Sequence, residues 1–186
     1  ITLGGNYSVT SGIGDALIER AGEIEFNGNN LQTINWGPDN VRQFYKITIN
    51  NSTPSAAVQI LSAPSTYIAN NITFIDGHLI TNSFSSPNLV IKNGATVTGA
   101  SDSSHVKGAV VKEGNQPFTF PIGKSVPSSS AAMYAPISIS APTSVTDRFV
   151  AEYFWQNPHP TYDTSLHDLT LNHISGCEYW LLNRLT

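Results

Sequence analysis

Apolar and polar residues alternate in short runs through the first hundred positions. In Gly22-Glu23-Ile24-Glu25-Phe26 the two kinds exchange at every step, the period of a half-buried strand. Asn27-Gly28-Asn29-Asn30 breaks the run with turn-forming residues. Leu31–Trp36, Tyr45–Asn50, Ala57–Leu61, Asn71–Ile75, His78–Thr81, Leu89–Lys92 and Ala95–Thr98 repeat the theme. Their β-branched residues favour a pleated, packed surface. Gly37-Pro38-Asp39-Asn40, Asp76-Gly77 and Asn93-Gly94 punctuate them.

A phrase of apolar, Thr or Val, apolar, followed by Asn or Asp, recurs at Ile47–Asn50, Ile72–Asp76 and Leu89–Asn93, at irregular intervals of roughly 16 to 25 residues. Units of that length cannot bury an apolar face alone, so they stack. The expectation is an all-β chain whose residues 1–105 form a short right-handed parallel β-helix, a solenoid. Antiparallel hairpins would also use Asp-Gly and Asn-Gly turns and are the competing arrangement. Gly14–Ala21 is the best helix-forming stretch, though too short to stand without tertiary support.

From about residue 106 the runs lengthen and aromatics increase. Gly108–Lys112, Phe118–Gly123, Tyr134–Ser140, Arg148–Phe154 and Cys177–Leu182 read as strands. They are separated by longer loops at Ser125–Ala132 and Asn157–Tyr162. This texture suggests a β-sandwich-like module over 106–186, expected to be incomplete at its C-terminal side. Ile1-Thr2-Leu3 reads as a strand already under way, and Leu181–Thr186 stops without a turn, so a longer precursor is expected.

Composition narrows the chemistry. The chain has 186 residues, 40% hydrophobic and only 12% charged, with a net charge of −4. Nine scattered Lys and Arg residues form no run able to neutralise adjacent phosphates, so no nucleic-acid partner is expected. No apolar run approaches the roughly 18 residues that span a bilayer, so no membrane insertion is expected. The single cysteine, Cys177, excludes an internal disulfide and is expected as a small buried residue.

Catalytic, metal and cofactor constellations are not expected. Asp15, Asp39, Asp76 and Asp102 occupy turn or helix-start contexts, where Asp satisfies backbone groups. Glu23 and Glu25 share one strand face. A glycosidase needs two carboxylates roughly 5–10 Å apart across one groove. His167, Asp168 and His173 are the only local cluster, at no common metal-ligand spacing. Neither a phosphate-binding glycine loop nor a Gly-x-Ser-x-Gly turn occurs. Asn51-Ser52-Thr53 and Asn71-Ile72-Thr73 match the N-glycan acceptor pattern. Trp155, Trp180, Tyr153, Tyr162 and Trp36 have flat apolar faces suited to sugar rings, with Trp155 and Tyr162 the expected carbohydrate contacts. Trp180 and Tyr179 are expected in a core or interface.

An ordered set of motifs runs through the chain: Phe26-Asn27-Gly28, Gln32-Thr33-Ile34, Ile47–Asn51, Asn93–Ser104, His105-Val106-Lys107-Gly108, Phe118–Lys124, Tyr134–Ile137, Glu152-Tyr153-Phe154 and Glu178-Tyr179-Trp180. It resembles a region of large secreted Bacteroidetes proteins exported by the type IX secretion system. The resemblance implies a secreted or outer-surface location and a β-helix-like repeat region. Its implied partners are the other domains of one precursor and the secretion machinery. It implies no reaction. The expected function is a non-catalytic structural or adhesive segment of a surface protein, with possible partners among surface glycans. The alternative is a carbohydrate-binding module of a secreted glycan-degrading enzyme.

Overall fold

The structure, a computed structural model, describes residues 1–9, 21–37, 42–53, 57–61, 65–125, 132–159 and 161–185. Among these are eighteen β-strands and no helix. The helix-forming stretch at Gly14–Ala21 lies, apart from Ala21, outside the described residues.

The chain passes back and forth between two sheets. One is nine-stranded. It stacks β1 (Thr2–Leu3), β3 (Glu23–Phe26), β5 (Gln43–Asn50), β7 (Thr66–Asp76), β9 (Leu89–Ile91) and β12 (Val110–Glu113) in parallel. β10 (Thr96–Thr98) pairs with the second half of β7. The other is seven-stranded and stacks β2 (Tyr7–Ser8), β4 (Gln32–Asn35), β6 (Val58–Ile60), β8 (Leu79–Ile80), β11 (Val106–Lys107) and β14 (Ile122–Ser125), also in parallel. Strands taken alternately from two parallel ladders make a β-solenoid, not a run of hairpins. The connections vary in length while the seven-stranded ladder keeps its register; in the nine-stranded sheet the β5–β7 pairing shifts between Phe44 and Lys46 and between Ile49 and Asn50. Val58 stacks on Leu79, Leu79 on Val106, and Val106 on Ile122.

The alternation read from the sequence becomes columns of inward residues. Leu3, Phe26, Ile49 and Phe74 form one, and Ile24, Ile47, Ile72 and Val97 another. Gln32, Val58, Leu79, Val106 and Ile122 form a third on the opposite sheet. Tyr7, Trp36, Phe26 and Phe44 close the N-terminal side of the core, with ring centroids 4.8–6.4 Å apart. The Trp36 indole N–H donates to Thr66 Oγ1 at 2.8 Å, so the buried ring leaves no donor unpaired.

Parallel pairing continues beyond residue 105, through β11, β12 and β14. Chain direction then reverses. β17 (Arg148–Phe154) runs antiparallel to β12, and β18 (Tyr179–Leu185) antiparallel to β17 over seven residue pairs. β15 (Ala132–Tyr134) adds antiparallel to β14 on the other sheet. β13 (Phe118–Phe120) and β16 (Ile137–Ile139) form a small separate pair. Most second-half strands therefore extend the solenoid's own sheets, and Phe118, Phe120, Ala151 and Tyr153 share its main core cluster. Glu152 anchors this addition from a buried position: it accepts from the Phe84 N–H at 2.5 Å and lies 3.5 Å from the Lys124 ammonium.

Candidate functional site

Three polar or aromatic features rise above plain packing. The first is a polar seam inside one corner of the solenoid. Asn51 is fully buried where β5 ends. Its amide donates to Asn30 O (2.8 Å), Gln32 Oε1 (3.0 Å) and Ala57 O (3.1 Å), while its Oδ1 accepts from the Thr53 N–H at 2.9 Å. One turn on, Gly77 holds φ = 80°, and a Cβ there would lie 2.1 Å from Asn51 O. The Asp-Gly turn thus needs glycine for both dihedral and space. Ser104 continues the seam by donating to Gly77 O at 2.7 Å.

His78 and His105 lie beside this seam with ring centroids 4.4 Å apart, and both are buried. His105 Nδ1 lies 2.9 Å from Ser101 O. A carbonyl only accepts, so Nδ1 carries the proton. His78 Nδ1 and His105 Nε2 meet no hydrogen-bond partner. Burial, the neighbouring His105 and the Lys107 ammonium push His78 down to about 3. Burial and Lys107 also lower His105, against the Ser101 hydrogen bond and the Asp102 charge. These rings are neutral and structural. Lys112, by contrast, occupies a core column next to Ile91. Its ammonium is satisfied by Lys92 O (2.7 Å) and Ala95 O (3.2 Å) and lies 5.0 Å from the Phe118 ring centroid. Burial lowers it to about 8.

The second feature is a polar ladder on the other face of the nine-stranded sheet. Thr2, Glu25, Thr48, Thr73 and Thr98 stand in register across five strands. The side chains bond along and between the rows. Thr48 donates to Glu23, Asn50 to Glu25 at 2.8 Å, and Asn71 to Thr96 Oγ1 at 2.9 Å. Glu23 and Glu25 are therefore committed to neighbours on this face and do not converge across a groove.

The third is an aromatic hollow of about 240 Å³ at the start of β18, lined by Pro158, Tyr162, Asp163, Thr164, Ile174, Tyr179, Trp180 and Leu181. Trp180 is fixed by donation to Ala135 O at 2.9 Å, yet its surface is 38% exposed. Tyr179 stacks on Phe154 at 4.8 Å, and Tyr162 meets Tyr179 edge-on at 5.6 Å. Of the two expected carbohydrate contacts, Tyr162 is exposed at this hollow, while Trp155 is partly buried against the core. The sequence did not single out Tyr179 and Trp180 as hollow-forming. Their alternation within an aromatic strand is equally the signature of a buried one.

Other expectations fall out as follows. Asp102 accepts from the Tyr134 N–H at 2.8 Å, and Asp76 closes β7. Asp15 and Asp39 lie outside the described residues. His167, Asp168 and His173 are all exposed, with Asp168 bonded to Thr170. No group of three or more His, Cys, Asp or Glu able to hold a metal occurs among the described residues. Asn51 lies too deep for a glycan in the folded chain, while Asn71 is half-buried and bonded to Thr96.

Cys177 corrects an expectation. It is exposed, with Sγ 3.4 Å from Ser175 Oγ, because it falls in the loop before β18 and not on a packed strand. A disulfide-exchange thiol reagent is expected to label it stoichiometrically in the folded protein, at a rate near that of the urea-unfolded chain. Protection by a hundredfold or more would show the thiol covered.

The fold defines the chain as a two-sheeted parallel β-solenoid with antiparallel strands added at its C-terminal side. Comparison with protein-family models, curated proteins and solved structures finds no match.

Proposed function

We propose that the chain is a non-catalytic structural and adhesive segment of a large secreted surface protein, acting as a stiff spacer between other domains of its precursor. The observation that carries this reading is the continuous ladder. Inward columns pass through successive turns, and several polar groups inside the solenoid serve neighbouring turns. Asn51, Ser104 and Lys112 each bond backbone carbonyls of adjacent coils. Several buried or ladder-forming side chains that an enzyme could use are engaged in structure: Glu23 and Glu25 in the polar ladder, Glu152 under Phe84, and His78 with His105 in the interior. The resemblance of the ordered motifs to type IX secretion cargo supports an outer-surface location, with that machinery and surface glycans as partners.

A rod of this kind resists extension turn by turn, since each turn is held mainly by its neighbours. Stretched between its ends by optical tweezers, the chain is expected to lengthen in discrete events. Each would release roughly 80 Å of chain, the extended length of one turn of about 23 residues. Smooth lengthening at low force, as for a compliant linker, would end the spacer reading.

A further inference from the structure

We propose that Asn93 is a self-modifying site: the Gly94 backbone nitrogen closes on the Asn93 carboxamide, and through the resulting succinimide the folded chain comes to carry aspartate and isoaspartate at this position.

The reaction needs only water. The Gly94 nitrogen gives up its proton and attacks Asn93 Cγ. A new C–N bond forms, the carboxamide C–N bond breaks, and the nitrogen of the carboxamide leaves as ammonia, taking the proton through water. One water molecule then adds to either carbonyl of the five-membered ring. Opening on one side restores the backbone and leaves an aspartate. Opening on the other routes the main chain through the side-chain carboxyl and lengthens it by one methylene, an isoaspartate. One water enters, one ammonia leaves, and nothing is oxidised or reduced. The nucleophile must be a backbone nitrogen that is free of acceptors and uncrowded, which glycine, lacking Cβ, allows best.

The chain has two Asn-Gly dipeptides, Asn27-Gly28 and Asn93-Gly94. Both asparagines are exposed, so neither motif nor exposure separates them; the geometry does. The Gly28 N–H donates to Gln32 Oε1 at 2.9 Å, and Gln32 is itself buried and anchored on Leu3 O at 2.8 Å and Gly5 O at 2.6 Å. A Cβ at Gly28 would stand 3.0 Å from the Gln32 side chain and 3.1 Å from Gly4 O. Ring closure there must break a seated hydrogen bond and enter filled space. The Asp76-Gly77 turn is closed off in the same way, with the Gly77 N–H donating to Ser103 O at 3.2 Å. The Gly94 N–H, by contrast, meets no acceptor among the described residues. Nothing lies within 4 Å of a Cβ built on Gly94.

The groups around Asn93 also favour the attack. It places negative charge on Asn93 Oδ1, and the Asn115 N–H already donates to that oxygen at 3.3 Å. A donor fixed where charge develops lowers the barrier. The buried Lys112 ammonium bonds Lys92 O at 2.7 Å and Ala95 O at 3.2 Å, the carbonyls on either side of the dipeptide. It holds the turn closed by the Ala95 N–H on Lys92 O, and its charge favours loss of a proton nearby. The product adds a negative charge beside the Lys92–Glu113 ion pair. In the isoaspartate form the added methylene lies between the two carbonyls that Lys112 ties together.

The test follows both asparagines in one sample. The whole folded chain is held at neutral pH in heavy-oxygen water, then digested with pepsin in acid, where the ring closure is slow, and mapped by mass. The Asn93 peptide is expected to gain about 3 Da, one from exchange of amide for acid and two from the heavy oxygen. Part of the product should accept a methyl group from an isoaspartyl methyltransferase. Asn93 should convert at least roughly tenfold faster than Asn27. In the guanidinium-unfolded chain, where Gly28 loses Gln32, the two rates should fall within about threefold of each other. Three results would overturn the proposal: Asn93 intact in the folded chain over a period that converts it in the unfolded one; equal rates at Asn27 and Asn93 in the folded chain; or a mass gain at Asn93 with no isoaspartate, which would indicate direct hydrolysis without the ring.

Discussion

Replacing Asn51 by alanine is expected to lower the unfolding free energy by about 3 kcal/mol, read from urea midpoints at constant slope. The asparagine is not part of any strand, yet its amide ties the Asn30–Gln32 stretch, about 20 residues earlier, to the start of the next turn at Ala57. Alanine removes both donors at once. Gln32 Oε1 keeps the Gly28 N–H and Ala57 O keeps the Gln32 N–H, but Asn30 O loses the amide that reaches it. The Thr53 N–H loses its acceptor as well, and a part-buried polar group left without its partner costs about 1–3 kcal/mol, to which the vacated space adds. Asn29→Ala, on the exposed turn nearby, serves as the control and should change stability by less than about 0.5 kcal/mol. Equal effects of the two substitutions would mean that the seam does not hold the turns together.

Acidification should unfold the chain through His78 and His105. The native rings stay neutral: His78 is lowered to about 3, and His105 is also lowered. In the unfolded chain both return to about 6.5. Between those values the unfolded state binds protons that the native state refuses, so stability rises with pH. It is complete above about 6.5 and is lost as the pH falls from there towards 3. The loss approaches about 1.4 kcal/mol per pH unit for His78, and His105, also lowered, adds to it in the same direction. The groups facing the pair are Lys107, whose charge opposes protonation, Asp102, whose charge favours it, and the Tyr134 ring at 6.2 Å from His105. The double variant His78→Gln/His105→Gln should flatten the urea-midpoint curve between pH 6.5 and 4. An unchanged slope would assign the acid sensitivity to carboxylates instead. Asp147, held down by the Ser144 N–H and Arg184, contributes only at lower pH.

Much of the solenoid was legible because its physics is local. Ile24, Phe26, Ile47, Ile49, Ile72 and Phe74 alternate with polar residues, and all are buried as that alternation requires. The recurrence of such phrases also indicated stacking over hairpins. What remained hidden depends on contacts across turns. Nothing around Lys112 in the sequence marks it as a core residue, because its carbonyl partners come from Lys92 and Ala95 one turn away. Nor does local pattern reveal that β17 and β18 would join a sheet begun by Thr2. An aromatic strand looks the same whether it builds its own module or extends an existing one. Cys177 misled for a related reason: residue type predicts burial only on average, and a loop position overrides it. The two named aromatics, Trp155 and Tyr162, parted company because one lies directly beyond β17 against the core and the other farther along the loop.

The unequal spacing of stacked residues has a practical outcome. Val58 to Leu79 spans 21 positions, Leu79 to Val106 spans 27, and Val106 to Ile122 only 16, yet every pair keeps the same ladder. Length differences are absorbed outside the columns, where closing a longer loop costs only about 0.6 kcal/mol per doubling. Such an architecture can accept foreign epitopes or recognition loops at its periphery without disturbing its interior, and lineages carrying it can diversify their outlines while conserving the frame.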